Sequence, residues 1–147
     1  MKQITEDYIS FEVAKLLKEK GFDIPTKHFY DSTGENLEDT KIFYGGIPDF
    51  KEFNWNDDPF VSVGFPKFIT FSKPTQSLAL KWLREVHDLH IIVYPWQADK
   101  EEKAIHWCCK VYKSFAHLGN DVYTNETPKS YEQAIEAALN YVLKNLI

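Results

Sequence analysis

The sequence predicts an α+β fold: three helices packed on a small antiparallel sheet with a central hairpin and an aromatic-rich irregular segment. Three observations carry that expectation. Three segments repeat apolar residues at helical spacing behind good capping residues. The apolar run Leu89–Trp96 is strand-like, and a charged stretch joins it to a second alternating run, as in a hairpin. Residues 23–74 hold five prolines, which forbid a long helix, yet they are crowded with aromatic side chains.

The first helix is predicted over residues 10–20. Ser10 can accept from free amides at the helix start, and Glu12 suits its positive end. Val13, Ala14, Leu16 and Leu17 repeat at helical spacing. Gly21 supplies a left-handed residue after the last turn, with Phe22 folding back onto Leu17. An extra turn from Thr5 is expected before it. In the segment that follows, Asp31-Ser32-Thr33-Gly34 reads as a turn, and short extended runs are expected at Lys41–Tyr44 and Phe60–Val63. Its aromatics mark packed irregular structure, because a disordered linker is aromatic-poor.

The second helix follows Pro74, with Thr75 as its cap. Ala79, Trp82, Leu83 and Val86 form its apolar face with Leu78, and Gln76, Lys81, Arg84 and Glu85 its polar side. Leu89–Trp96 is then a strand, Gln97–Lys103 a charged loop and Ala104–Tyr112 the returning strand. Setting Trp96 opposite Ala104 places Leu89, Ile91, Val93, Trp107, Cys109 and Val111 on one apolar face, expected to meet the helices. The other face carries His90, Ile92, Tyr94, Trp96, His106, Cys108, Lys110 and Tyr112. The last helix begins at Ser130, where Ser130 and Gln133 form a capping box, and Tyr131, Ala134, Ile135, Ala138, Val142 and Leu146 provide its buried side. No internal repeat is visible, and residues 1–147 are expected to form one α+β domain.

Bulk properties narrow the function. A chain of 147 residues buries roughly 70% of its unfolded surface and needs no metal or disulfide to fold. The formal charge of -5, from 17 basic and 22 acidic side chains, speaks against general nucleic-acid binding, which requires clustered Lys and Arg. Acid concentrates between Asp31 and Asp58. The first seven residues do not read as a signal peptide, and no segment approaches the ~20 apolar residues of a membrane helix. The two cysteines, Cys108 and Cys109, are adjacent and point to opposite faces of a strand. A reducing cytoplasm is the simplest setting for them, and cytoplasmic localisation is expected.

Ser10–Asp23 (SFEVAKLLKEKGFD), Pro74–Pro95 (PTQSLALKWLREVHDLHIIVYP) and Ser130–Leu146 (SYEQAIEAALNYVLKNL) resemble a family of small uncharacterised proteins common in Bacteroides-type bacteria, their phages and mobile elements. Its members share a short first helix, a proline-threonine-glutamine entry to a second helix, a hairpin, and a final helix opening on a Ser/Thr-Tyr-Glu step. The resemblance implies a phage or prophage origin. It implies no activity, because helix caps and core residues report fold rather than chemistry.

Three kinds of chemistry compete with plainer explanations of the same residues. The histidines His28, His87, His90, His106 and His117 lack metalloprotease spacing, and Cys108-Cys109 lacks a second cysteine pair, so no metal or other cofactor is expected. His106 and Cys108 share a strand face, which suits a thiol nucleophile, but a small buried hydrophobe is the commoner role for cysteine. The aromatic hairpin face suits a protein interface or a ligand cleft; its competitor is a second core, with residues 24–73 folded over it. The chain is therefore expected to be a non-enzymatic phage or mobile-element protein that binds a host protein, with a homodimer as another partner arrangement. Trp55, Asp57, Asp58, Tyr94, Trp96 and His106 are its candidate surface. In this expectation the acidic, aromatic stretch around Trp55 mimics nucleic acid at a basic host site; otherwise Trp55 is core and the acids are solvated. The alternative is a small-molecule-binding protein or small enzyme using Tyr94, Trp96, His106 and Cys108 on the polar face of the hairpin.

Overall fold

The structure, a computed structural model, describes residues 3–37, 52–62, 64–97, 105–113, 120–122 and 127–147. The fold is α+β. The chain falls into two compact units: Tyr8–Thr75 is one, and Met1–Asp7 with Gln76–Ile147 is the other. Two three-stranded antiparallel sheets stand where a single sheet was expected, one in each unit, in the orders β2-β1-β3 and β4-β5-β6.

In the unit Tyr8–Thr75, helix α1 spans Phe11–Glu19. The Ser10 hydroxyl accepts from the Val13 amide at 3.3 Å, a cap worth ~1 kcal/mol. At the other end the Phe22 amide donates to Leu17 and the Gly21 amide to Lys18, with Gly21 at φ +83°, so the predicted left-handed ending is present. The extra turn from Thr5 is not: residues 3–7 are irregular, with no cap or apolar repeat to start a helix. Strands β1 (Phe29–Asp31) and β2 (Asn36–Leu37) form a hairpin through the predicted turn. Asp31 closes it, its carboxylate accepting from the Thr33 amide and hydroxyl and from the Glu35 amide at 2.6 to 3.0 Å. Burial opposes ionisation of Asp31, but these bonds and the Gly34 amide outweigh it and hold the carboxyl below the usual range. Gly34 sits at φ +85°, and a Cβ there would lie 2.9 Å from the Phe11 ring.

β1 pairs on its other side with β3 (Thr70–Ser72), and α1 packs on β3. Phe29, Trp55 and Phe60 make one core cluster of this unit, with Phe53 and Phe68 against it. The aromatics of the irregular segment thus pack on one another and on their own sheet. A single 3₁₀ turn, Trp55–Asp57, capped by Asn54, ends at Asp58, which takes the left-handed conformation at φ 51°. Pro59 then opens a short helix α2, Pro59–Ser62. The extended run expected at Phe60–Val63 is therefore helical as far as Ser62: proline has no amide to lose at the first helical position, and its fixed φ favours a helix start. The run expected at Lys41–Tyr44 lies outside the described residues.

In the other unit, helix α3 spans Gln76–His87 and buries Ala79, Trp82 and Leu83. Two of its residues depart from expectation. Val86 is 59% exposed, since the last turn runs past the packed face. Gln76 is buried, not polar surface: its amide donates to the Glu132 carbonyl at 3.0 Å, which satisfies it inside. Strand β4 spans Leu89–Trp96 as predicted, β5 His106–Lys113, and β6 Asn120–Val122 adds an unforeseen third strand. Trp96 opposes His106 rather than Ala104. A shift of two residues keeps every side chain on its predicted face, because strand alternation has a period of two.

Helix α4, Tyr131–Asn145, covers the apolar sheet face, where Cys109, Ala134 and Ala138 are buried with Ile91, Val93 and Trp107 against them. Ser130 caps it as predicted, accepting from the Gln133 amide at 3.1 Å; the Gln133 side chain accepts from Lys129 instead of Ser130. Leu139 and Leu143 join its buried side. Tyr131 and Leu146 do not: they stand at its ends, and Tyr131 instead meets the edge of Trp107 at 5.5 Å. No helix among the described residues is long and apolar enough to cross a membrane.

Candidate functional site

The six candidate residues divide between the two units. Trp55, Asp57 and Asp58 belong to Tyr8–Thr75, whereas Tyr94, Trp96 and His106 belong to the hairpin.

Trp55 is core and not a surface anchor. It is 2% exposed, its indole N–H donates to the Thr26 carbonyl at 2.8 Å, and its ring stacks on Phe29 at 4.1 Å. An aromatic-rich segment with a sheet of its own buries its largest ring first. Asp58 is likewise structural: its carboxylate accepts from the Lys18 ammonium at 2.5 Å and from the Thr70 amide at 3.0 Å, tying α1 to β3. Lys18 also donates to the Thr70 carbonyl. Asp57 is exposed, while Glu38, Asp39 and Asp49 of the acidic stretch lie outside the described residues. Sequence reasoning missed the pairing of Lys18 with Asp58, since 40 residues separate them. It also missed Lys73, which is buried with its ammonium 4.9 Å from the centre of the Tyr8 ring and 5.1 Å from that of Tyr30.

The hairpin brings its three candidates together. Its outward face is a ladder of rungs: Trp96 opposite His106, Tyr94 opposite Cys108, Ile92 opposite Lys110 and His90 opposite Tyr112. The Trp96 and His106 rings are 6.3 Å apart, and the Lys110 ammonium stands 5.8 Å from the centre of the Tyr94 ring. Ile92 is 50% exposed and Trp96 51%, so the middle and the far end of this face meet solvent. At the near end His90 lies 3.6 Å from Asp88, a residue held at φ 56° where α3 gives way to β4. His90 and His106 are six residues apart along the ladder, about 20 Å at ~3.3 Å per residue. No group of three metal-ligating side chains occurs among the described residues.

The adjacent cysteines have opposite surroundings. Cys109 is buried under α4 and its thiol donates to the Ala134 carbonyl at 3.1 Å; burial, with a smaller contribution from Cys108, pushes it up to about 11. It is a protonated core group at neutral pH. Cys108, half-buried, shares the outward face with His106 two residues away.

Comparison with models of known protein families, with characterised proteins and with solved structures gives no match to this chain.

Proposed function

We propose that this chain is a non-enzymatic binding protein whose partner is another protein, engaged through the outward face of the β4–β5 hairpin. One observation carries the proposal: Ile92 and Trp96 stand half-exposed on the face that also holds Tyr94, His106 and Lys110. Rigid aromatic and aliphatic groups on a sheet supply contact area at low entropic cost, and such residues dominate interface energetics. The resemblance to proteins of phages and mobile elements points to a host protein as the partner, and the two free, adjacent cysteines point to a reducing cytoplasm as the place of encounter.

The test pairs capture with stability. Wild type and the variants Trp96→Ala and Ile92→Asp are immobilised and exposed to host lysate, and each is melted. A protein retained by wild type and lost from both variants, with melting temperatures unchanged, supports the proposal. Capture indifferent to both substitutions overturns it. The rungs Tyr94–Cys108 and Trp96–His106 favour a second reading, a small-molecule site or small enzyme built on those four residues. Compounds whose thermal stabilisation disappears in His106→Ala and Tyr94→Phe would favour it.

A further inference from the structure

We infer that β4 is a dimerisation edge, on which a second copy of this chain pairs antiparallel about Ile92 to join the two sheets into one. Pro95 fixes the bonding pattern of the edge. It has no amide hydrogen, so its rung with Trp107 must be of the kind that exchanges no backbone bonds. The Trp107 amide agrees, donating away from β4 to the Pro128 carbonyl at 3.3 Å. Antiparallel rungs alternate, so Ile91 and Val93 also turn their amides and carbonyls away from β5. Among the described residues β5 is the only strand beside β4, and no backbone group accepts from the Ile91 or Val93 amides on that outer side.

The sequence protects this edge only at its far end, where Pro95 withholds a donor. Leu89–Tyr94 carries no Lys, Arg, Asp, Glu or Pro, the residues with which soluble proteins keep edge strands from pairing. The occupant follows from self-complementarity. With Ile92 opposite Ile92 of the second copy, Ile91 faces Val93 and the two exchange both amide bonds, while the Leu89 amide faces the Pro95 carbonyl, which accepts without a return bond. The register also matches faces. Core-side Ile91 and Val93 adjoin, outward His90 adjoins Tyr94, and the half-exposed Ile92 side chains meet across a close rung. No like charges oppose one another within the strand. A two-fold axis here makes an isologous contact that closes after two copies. It also doubles the outward face into one continuous aromatic surface, so the proposed binding site would be half-built in a single chain. The inference rests on the strand edge, and its test needs no host partner.

Sedimentation of the full chain over a concentration series should show a dimer, and Ile92→Lys should shift it to monomer with its circular dichroism retained. Ile92→Cys in a Cys108→Ser background supplies an independent check. Close rungs hold opposing Cα atoms about 4.5 Å apart, within disulfide reach. Mild oxidation should therefore link two chains through position 92, while Lys110→Cys in the same background should not link. A monomer at every concentration, or a dimer that survives Ile92→Lys and leaves Ile92→Cys unlinked, would overturn the inference.

Discussion

Replacing Trp55 separates the two roles that an exposed-looking acidic, aromatic segment suggests for it. Its indole is 2% exposed, stacks on Phe29 at 4.1 Å, lies nearly parallel to Phe60 at 6.1 Å and donates to Thr26 at 2.8 Å. Trp55→Ala removes all three contacts and leaves a cavity, for an expected loss of ~3–5 kcal/mol. Trp55→Phe keeps a ring against Phe29 and loses only the indole bond; the Thr26 carbonyl still accepts from the Phe53 amide, so the expected cost is that of one hydrogen bond, ~0.5–1.5 kcal/mol. The difference between the two variants therefore reports the packing term. Urea denaturation followed by circular dichroism measures both, with the slope checked for constancy so that midpoint shifts translate into stability. A Trp55→Ala loss below ~1 kcal/mol, or equal losses for Ala and Phe, would refute the assignment of Trp55 as a stacked, hydrogen-bonded core residue.

Three further outcomes are expected. The folded state holds Cys109 protonated up to about 11 against an ordinary 9.0, so its contribution to stability is complete below pH 9 and drains away as pH rises towards 11; the difference between wild type and Cys109→Val in alkaline melts should show that decline. Burial pushes the His87 imidazole down, its Nε2 having no hydrogen-bond partner among the described residues and its ring lying edge-on to Trp82 at 4.6 Å. Its contribution is present above pH 6.5 and lost as pH falls below it, so His87→Leu should flatten the acid side of the stability profile, and an unchanged slope would contradict this. Gly34→Ala must hold a left-handed residue at ~1–2 kcal/mol and also displace Phe11, so an unaltered melting temperature would argue against the hairpin turn as described.

The elements that could be read from sequence are those whose signals are local. Ser10, Gly21 and Ser130 cap helices through bonds to neighbours a few residues away, and β4 lies between the end of α3 and a charged stretch of sequence. Alternation assigns faces but not register, because any even shift leaves the same side chains inside; hence the hairpin faces are right and the pairing is two residues away. Phe60 and its neighbours have strand-like composition, and the stronger signal was Pro59 at a helix start. Of the candidate site, Tyr94, Trp96 and His106 follow from alternation alone. The places of Trp55 and Asp58 do not, since they depend on Thr26, Phe29, Lys18 and Thr70, far away in sequence. Gln76 shows that residue type is a poor guide to exposure when a backbone carbonyl waits inside.

The opposed surroundings of the two neighbouring thiols have a practical use. Cys109 lies under α4 with its proton held, while Cys108 opens onto the hairpin's outward side. A brief treatment with a maleimide dye at neutral pH would then attach one fluorophore per chain, at position 108, without any engineered residue. That dye would sit beside Tyr94, where an arriving partner or a second chain would alter its emission. The molecule thus carries its own optical reporter.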